Sequence, residues 1–542
     1  MLRFILLIFV CLVPTTSWSN NISEIQASTS DIIFTPAVNK LSQAKLKDMP
    51  EVVENISNIQ DPRTRDVLSD LLKGQLFYLK SNKQLVRAIK NQDDLYDLID
   101  IFSAQPLEAL PKSHIKKVRT NNRVRQLIRS KIAYLDLTSR DDEVRYQAVK
   151  QVLDKPSENS LMLIKTLAIV EKNQEIKALM ETTLLIEQLS VPDPDEKLSA
   201  VLKLTNNLEP AVKVALQAEL DVLDADRDPV LKSAIEAALN NISQQQSFYS
   251  ILENLFFGLS LGSVLLLAAI GLAITFGVMG VINMAHGEMI MLGAYTTYVI
   301  QTLFPELLNY SLLIAVPAAF LVSGLVGVMI ERGIIRHLKG RPLETLLATF
   351  GVSLVLQQLV RSVFSPLNRT VASPEWMSGS LQINPVLSLT YSRLYIIIFS
   401  FIVFIALLLI LKKTSLGLHV RAVSQNRNMA RALSIKSNWV DAITFGLGSG
   451  IAGVAGVVLS QLTNVGPNLG QAYIIDSFLV VVFGGVGNLW GTLVAALSLG
   501  VLNKVLEPLT GTVLASIIVL IGLVLFIQKR PKGLFPQKGR SA

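Results

Sequence analysis

The chain has 542 residues, half of them hydrophobic, with a mean hydropathy of +0.45 and only 17% Asp, Glu, Lys or Arg; a soluble domain carries about 25%. Its formal charge of +8 is unevenly placed: residues 21–250 hold 30 basic and 33 acidic side chains, and residues 251–542 hold 19 and 9. A soluble enzyme on a Rossmann or barrel scaffold is excluded, and so is a nucleic-acid surface, because the positive surplus sits in the apolar half.

At the N-terminus, Arg3 precedes an apolar run over 4–13, followed by Pro14 and small polar residues including Ser17 and Ser19. This pattern predicts a secretory signal peptide over 1–19, too short to span a bilayer comfortably. Cys11, the only cysteine, lies inside that run. The mature chain is therefore expected to lack disulfides even though its N-terminal part faces an oxidising compartment.

Residues 20–60 are polar and expected to be irregular at their start. From about 62 to 242 the spacing is helical: Val144, Ala148, Val149, Val152 and Leu153 share one face behind Asp141, Asp142 and Glu143, where a helix dipole favours acids. Similar openings recur at Asn173, Asp195 and Asp228, with Pro192, Pro194 and Pro229 near the expected helix starts. The pattern predicts a stack of antiparallel HEAT-type helices over 61–245; an irregular helical domain with ordinary caps is the alternative. Its one histidine, His114, lies in a basic turn. With no HExxH, GxSxG or phosphate loop, this half is expected to dock partners rather than do chemistry.

Apolar stretches of membrane-spanning length follow at 254–276, 284–302, 312–330, 345–364, 394–411, 442–462 and 512–527. The block 474–506 is more complicated. Its first part ends in Gly484, Gly485 and Gly487, which predicts a broken or re-entrant helix. An exported N-terminal domain places 331–344, 411–440 and the tail after 528 inside the cell, and these hold 15 of the 19 basic residues of this half, as the positive-inside rule requires. The expected fold is thus all-α: a polytopic bundle of about eight to nine transmembrane helices over 250–530, a basic cytoplasmic tail over 531–542, and a periplasmic HEAT-like domain in front.

Within the spans, Asn283, His286, Gly287 and Glu288 open an otherwise apolar helix. A carboxylate in hydrocarbon is expensive, so Glu288 should face the bundle interior or a cavity; Asn and Gly suit a helix entrance. Thr-Phe-Gly occurs at Thr275, Thr349 and Thr444, the second copy ending in Gly351, and small residues of this kind favour close helix crossings. Asn283, His286, Gly287, Glu288, Thr349, Gly351, Gly484 and Gly485 are therefore the candidate translocation-path or hinge residues, and substrate contact and helix packing both remain open for them. Gly417, Arg421, Ala422, Asn426, Ala430 and Arg431 fall in an amphipathic helix-break-helix segment whose apolar positions need a covering surface. No catalytic set, metal-ligand cluster or Walker loop occurs.

The run 280–295, the stretches 346–354 and 483–492, and the segment 417–435 resemble the permeases of high-affinity branched-chain amino acid ABC transporters. The resemblance implies a bacterial inner-membrane permease that pairs with a second homologous permease. Two cytoplasmic ATPases would supply the power, using ATP and Mg, and a periplasmic solute-binding protein would deliver the solute. It also implies that 417–435 contacts an ATPase, with Ser434 standing where that family usually has glycine. The exported helical extension is similar to that of the family's urea-transporter permeases. Urea is therefore the expected solute, with branched-chain amino acids or short amides as the alternative. Lipid is the remaining partner, and no cofactor is expected in this chain.

Overall fold

The computed structural model describes residues 33–59, 61–91, 95–223 and 228–535. The expected signal peptide and the end of the tail lie outside these residues. The chain divides into two compact units, one of residues 1–207 and 211–241, the other of 208–210 and 242–542.

After a helical stretch over 33–42, the first unit has helices α1 (Met49–Ser57) and α2 (Arg63–Lys73), which bury Met49, Val53, Val67, Leu68 and Leu71 together with Leu76 and Leu85. Polar segment 20–60 is thus helical where it is described toward its end. Contrary to the all-helical expectation for 61–245, residues 76–117 form a five-stranded antiparallel sheet. Its strands are β1 (Leu76–Leu79), β2 (Leu85–Lys90), β3 (Tyr96–Asp100), β4 (Pro106–Leu110) and β5 (Ile115–Lys117), in the order β4-β3-β2-β1-β5. Phe77 pairs with Val86, and both are buried. Strands of three to six residues are too short to show a period that separates them from helix.

Helices α3 (Asn122–Leu137), α4 (Asp142–Asp154), α5 (Glu158–Leu167), α6 (Gln174–Gln188), α7 (Pro194–Leu204) and α8 (Pro210–Val222) complete this unit, with the start of α9 (Pro229–Met279). The acidic and amide openings act as caps. Asp141 Oδ1 accepts from the Glu143 amide at 2.9 Å, Asn173 Oδ1 from Glu175 at 3.0 Å, and Asp193 Oδ1 from Asp195 at 3.1 Å. The third cap is thus Asp193, two residues before the Asp195 opening. Val149, Val152, Ile164, Ile176 and Met180 fill the space between α4, α5 and α6.

The second unit continues α9 and adds α10 (His286–Leu303), α11 (Ser311–Gly333), α12 (Pro342–Phe364), a β6–β7 hairpin (Ser380–Gln382, Ser388–Thr390) and α13 (Tyr391–Lys413). It ends with α14 (Ser415–Gln425), α15 (Arg427–Ala432), α16 (Ser437–Leu459), α17 (Leu469–Gly484), α18 (Leu489–Thr510) and α19 (Thr512–Lys529). Among the described residues seven helices are long and apolar enough to cross a membrane: α9, α11, α12, α13, α16, α18 and α19. The expectation of eight to nine exceeds that number because α17 has only 16 residues and α10 carries His286, Glu288 and Gln301 among its apolar positions. The glycine block divides as expected: α17 stops at Gly484, and Gly485 and Gly487 take left-handed φ of 102° and 79°.

The apolar part of α9 and helix α16 are the most deeply buried of these helices. A Cβ on Gly448 would lie 2.6 Å from Gly271 O, and one on Gly453 2.6 Å from Ala319 O. The backbones of α9, α11 and α16 approach this closely only because those positions carry no side chain.

Candidate functional site

Helix α9 ends at Gly280, which has φ 68°, and a short non-helical stretch leads into α10. Asn283 Oδ1 accepts from the Ala285 amide at 3.0 Å and shapes that stretch. The Met284 amide donates to Thr349 Oγ1 at 3.2 Å, which ties the entrance of α10 to α12. His286 is fully enclosed; its Nε2 lies 2.9 Å from Ala268 O, so this nitrogen carries the proton, and Nδ1 has no hydrogen-bond partner. Gly287 meets α17, where an added Cβ would lie 2.5 Å from Gly470 O.

Glu288 is 1% exposed. Its Oε1 accepts from Ser353 Oγ at 2.8 Å and Gln357 Nε2 at 2.7 Å, while Oε2 is buried without a hydrogen bond. Thr345, Thr349, Ser353 and Gln357 recur every four residues and form the buried polar stripe of α12 that receives this carboxylate. Asn283, His286, Gly287, Glu288 and Thr349 thus come together in one interior knot.

The other three candidates lie elsewhere. Gly351 is on the open face of α12 with nothing within 4 Å of an added Cβ. A Cβ added to Gly484 would lie 2.5 Å from Gly491 of α18, and the Gly484 carbonyl accepts from the Phe535 amide at 3.1 Å. Gly485 terminates α17 beneath residues 530–535.

The segment 417–435 folds as two helices broken at Asn426, whose Oδ1 caps α15 by accepting from Met429 at 3.0 Å. Val420, Val423 and Ala430 are buried in the bundle, and a side chain on Gly417 would collide with Leu411. Arg421 donates to Leu411 O, and Arg431 Nε to Ser437 Oγ at 2.9 Å. Ala422 is half-buried, whereas Leu418, Met429 and Leu433 stand exposed on the other side. Ser434 adopts φ 64°, a left-handed conformation that glycine accepts without cost.

Two buried acids near this segment escaped the sequence reading. Asp441 is fully buried in the second turn of α16 and accepts from Lys339 Nζ at 2.5 Å and from Arg427 at 2.6 and 3.1 Å. Glu331 is 1% exposed, with Lys339 Nζ 3.8 Å away. Residues 251–542 contain only 9 acids, and that scarcity was the signal: an acid at an apolar helical position needs a partner. Among the described residues no group of three or more His, Cys, Asp or Glu could hold a metal ion.

Residues 254–528 match the family described as the permease component of branched-chain amino acid transport systems. The permease protein BraD of a high-affinity branched-chain amino acid transport system of Pseudomonas aeruginosa is 31% identical over 297 residues, 53% of this chain and 96% of BraD. LivH of Escherichia coli K12, also a permease protein of a high-affinity branched-chain amino acid transport system, is 29% identical over 53% of this chain and 96% of its own. The ribose import permease RbsC of the same strain is 29% identical over 48% and 80%. No solved structure matches.

Proposed function

This chain belongs to the permease-component family of branched-chain amino acid transport systems, and on that premise we propose that it forms half of the translocation path of an ATP-driven importer. It is a transport protein, not an enzyme. The observation that carries the reading is the coincidence of the family match with the whole helical bundle, including the broken segment α14–α15. In this reading Leu418, Met429 and Leu433 are covered by a cytoplasmic ATPase subunit, one of two that use ATP and Mg. A second homologous permease completes the path and a periplasmic binding protein delivers the solute.

Asp441 is the positioning residue for coupling. Through Arg427 it fastens α15 to α16, and α16 meets α9 and α11 at glycines. A displacement of α14–α15 therefore reaches the centre of the bundle through stiff contacts. Glu288, held by Ser353 and Gln357, fixes α10 to α12 as a hinge. The topology that fits the charge bias puts the first unit in the periplasm, where α3–α8 would form a HEAT-like docking stack. The bundle would lie in the bacterial inner membrane, with the C-terminus in the cytoplasm.

For the solute, the relatives' names favour a branched-chain amino acid. One observation favours urea as a second reading: the first unit lies outside the family match, and its presence carries the resemblance to urea permeases. The test is uptake of labelled L-leucine and labelled urea by the reconstituted complex. ATP-dependent leucine uptake is expected; ATP-dependent urea uptake without leucine would move the solute to the second reading. Uptake by this chain alone without ATP would overturn the mechanism. Arg421→Glu and Arg431→Glu are expected to weaken co-purification with the ATPase while insertion persists.

A further inference from the structure

Asp476, on the outer face of α17, differs from the three buried acids of the bundle. Glu288, Glu331 and Asp441 each face a hydrogen-bond or ion-pair partner, whereas Asp476, midway along α17, has neither among the described residues. It is exposed on the face that also presents Gln471, Ala472 and Ile475, positions one helical turn apart.

This face borders a cavity of about 160 Å³ between α9, α17, α18 and α19. Leu265, Leu479, Leu499 and Leu523 supply apolar walls, and Asp476, Asn503 and Ser516 supply the polar groups. Asn503 Oδ1 is buried and also has no hydrogen-bond partner. Ser516 Oγ donates to Thr512 O at 3.1 Å and so leaves its lone pairs available. Asp476 and Asn503 Oδ1 thus present unsatisfied acceptors from two different helices, with the Asn503 amide nitrogen beside them as a donor.

A charged side chain facing hydrocarbon is costly, and no partner among the described residues offsets it. Helix α17 is also too short for the bilayer: 16 residues reach about 24 Å against a hydrocarbon layer of about 30 Å. A short helix carrying an unpaired acid is stable at that depth where it borders water or protein rather than lipid. The volume equals about five waters at roughly 30 Å³ each, enough for a small solute.

We infer that the cavity walled by Asp476, Asn503 and Ser516 is a solute subsite on the translocation path, one that accepts hydrogen bonds from an N–H-bearing group, either an ammonium or a neutral amide. The inference rests on the proposed importer function and adds a site to it. The solute's donors satisfy Asp476 and Asn503 Oδ1, while the leucines take its apolar part. Loading and release then need no charged partner from this chain.

The test uses the full reconstituted complex in a Cys11→Ser background, since Cys11 is the only native cysteine. The Asp476→Cys thiol is expected to react with a charged, water-soluble thiol reagent and to be slowed about fivefold or more by saturating L-leucine or urea, according to which one the wild type imports. Asp476→Leu is expected to raise the KM of that solute by about tenfold or more, since it removes a hydrogen bond to a charged group. Asp476→Asn separates the two sources: a comparable rise identifies an ammonium, and a change within about threefold identifies an amide. A thiol that reacts only with lipid-soluble reagents, or reacts without protection by solute, overturns the subsite, as does an unchanged KM in Asp476→Leu. Where Asp476→Leu fails to assemble, the thiol protection decides. Absence of ATP-driven uptake in the wild-type complex would instead count against the importer reading.

Discussion

In the first unit Arg145 bridges Asp142 at 2.8 Å and Glu171 at 2.9 Å at the starts of neighbouring helices. In the bundle Asp441 gathers Lys339 and Arg427 around a carboxylate with no exposure. Both are three-residue charge clusters, yet their surroundings differ. The first unit holds 63 charged residues between 21 and 250, so one pair is among many; the bundle has 9 acids in 292 residues. The Arg145–Asp142 pair is open to water on its acidic side and contributes little, while Arg145–Glu171 is largely covered; in the bundle a buried acid deprived of its bases leaves an uncompensated charge. Acids of the first unit thus cap helix starts and also join elements, as Asp70 with Arg87 and Asp136 with Arg65 do, whereas Glu288 and Asp441 in the bundle serve as joints between helices.

The sharpest way to break this contrast is to disturb the bundle where no charged group is involved. Gly453→Leu should cost about 3 kcal/mol or more, because the added side chain meets Ala319 and Ser323 at a crossing with no slack; loss of the folded, detergent-soluble protein on size exclusion checks it. Asp441→Leu comes next, at about 2–3 kcal/mol, reduced from a fully buried pair because Lys339 and Arg427 are partly exposed. Thermal unfolding of the purified complex measures it, and uptake should fall more than ATP hydrolysis if Asp441 positions the coupling segment.

Glu288 sharpens the comparison within the bundle. Glu288→Leu strands Ser353 and Gln357 and should cost about 2 kcal/mol, whereas Glu288→Gln keeps the acceptor that both use and should cost under about 1 kcal/mol. Paired melting curves test this, and equal losses would show that the charge rather than the hydrogen bonds holds α10 to α12.

The smallest effect is expected in the first unit. Arg145→Ala should lower protection of α4–α6 in hydrogen exchange by about 1 kcal/mol at neutral pH. The Arg145 hydrogen bond holds the Glu171 carboxyl below its ordinary range, helped by the Lys172 and Asn173 amides and opposed by burial. A carboxyl lowered on folding stabilises the unit fully above its unfolded pKa and loses that contribution as pH falls through the folded value. The difference between wild type and Arg145→Ala should therefore shrink on acidification, and a difference that grew would contradict the pairing.

The sequence by itself determined what is local. Runs of apolar residues located the spans, Asp141 and Asn173 announced helix starts, glycines at 484–487 announced the break between α17 and α18, and the motif residues carried the family. It failed at 76–117, where strands are too short to show a period, and it grouped Gly351 with Thr349 although they face opposite sides of α12. Only the tertiary structure decided which polar residues meet: Glu288 with Ser353 and Gln357, 65 and 69 residues away, Asp441 with Lys339, 102 residues away, and Asp476 with the Asn503 cavity. Helical spacing fixes the face on which a side chain lies, but the neighbour opposite that face is set by how whole helices pack, and no local pattern encodes it.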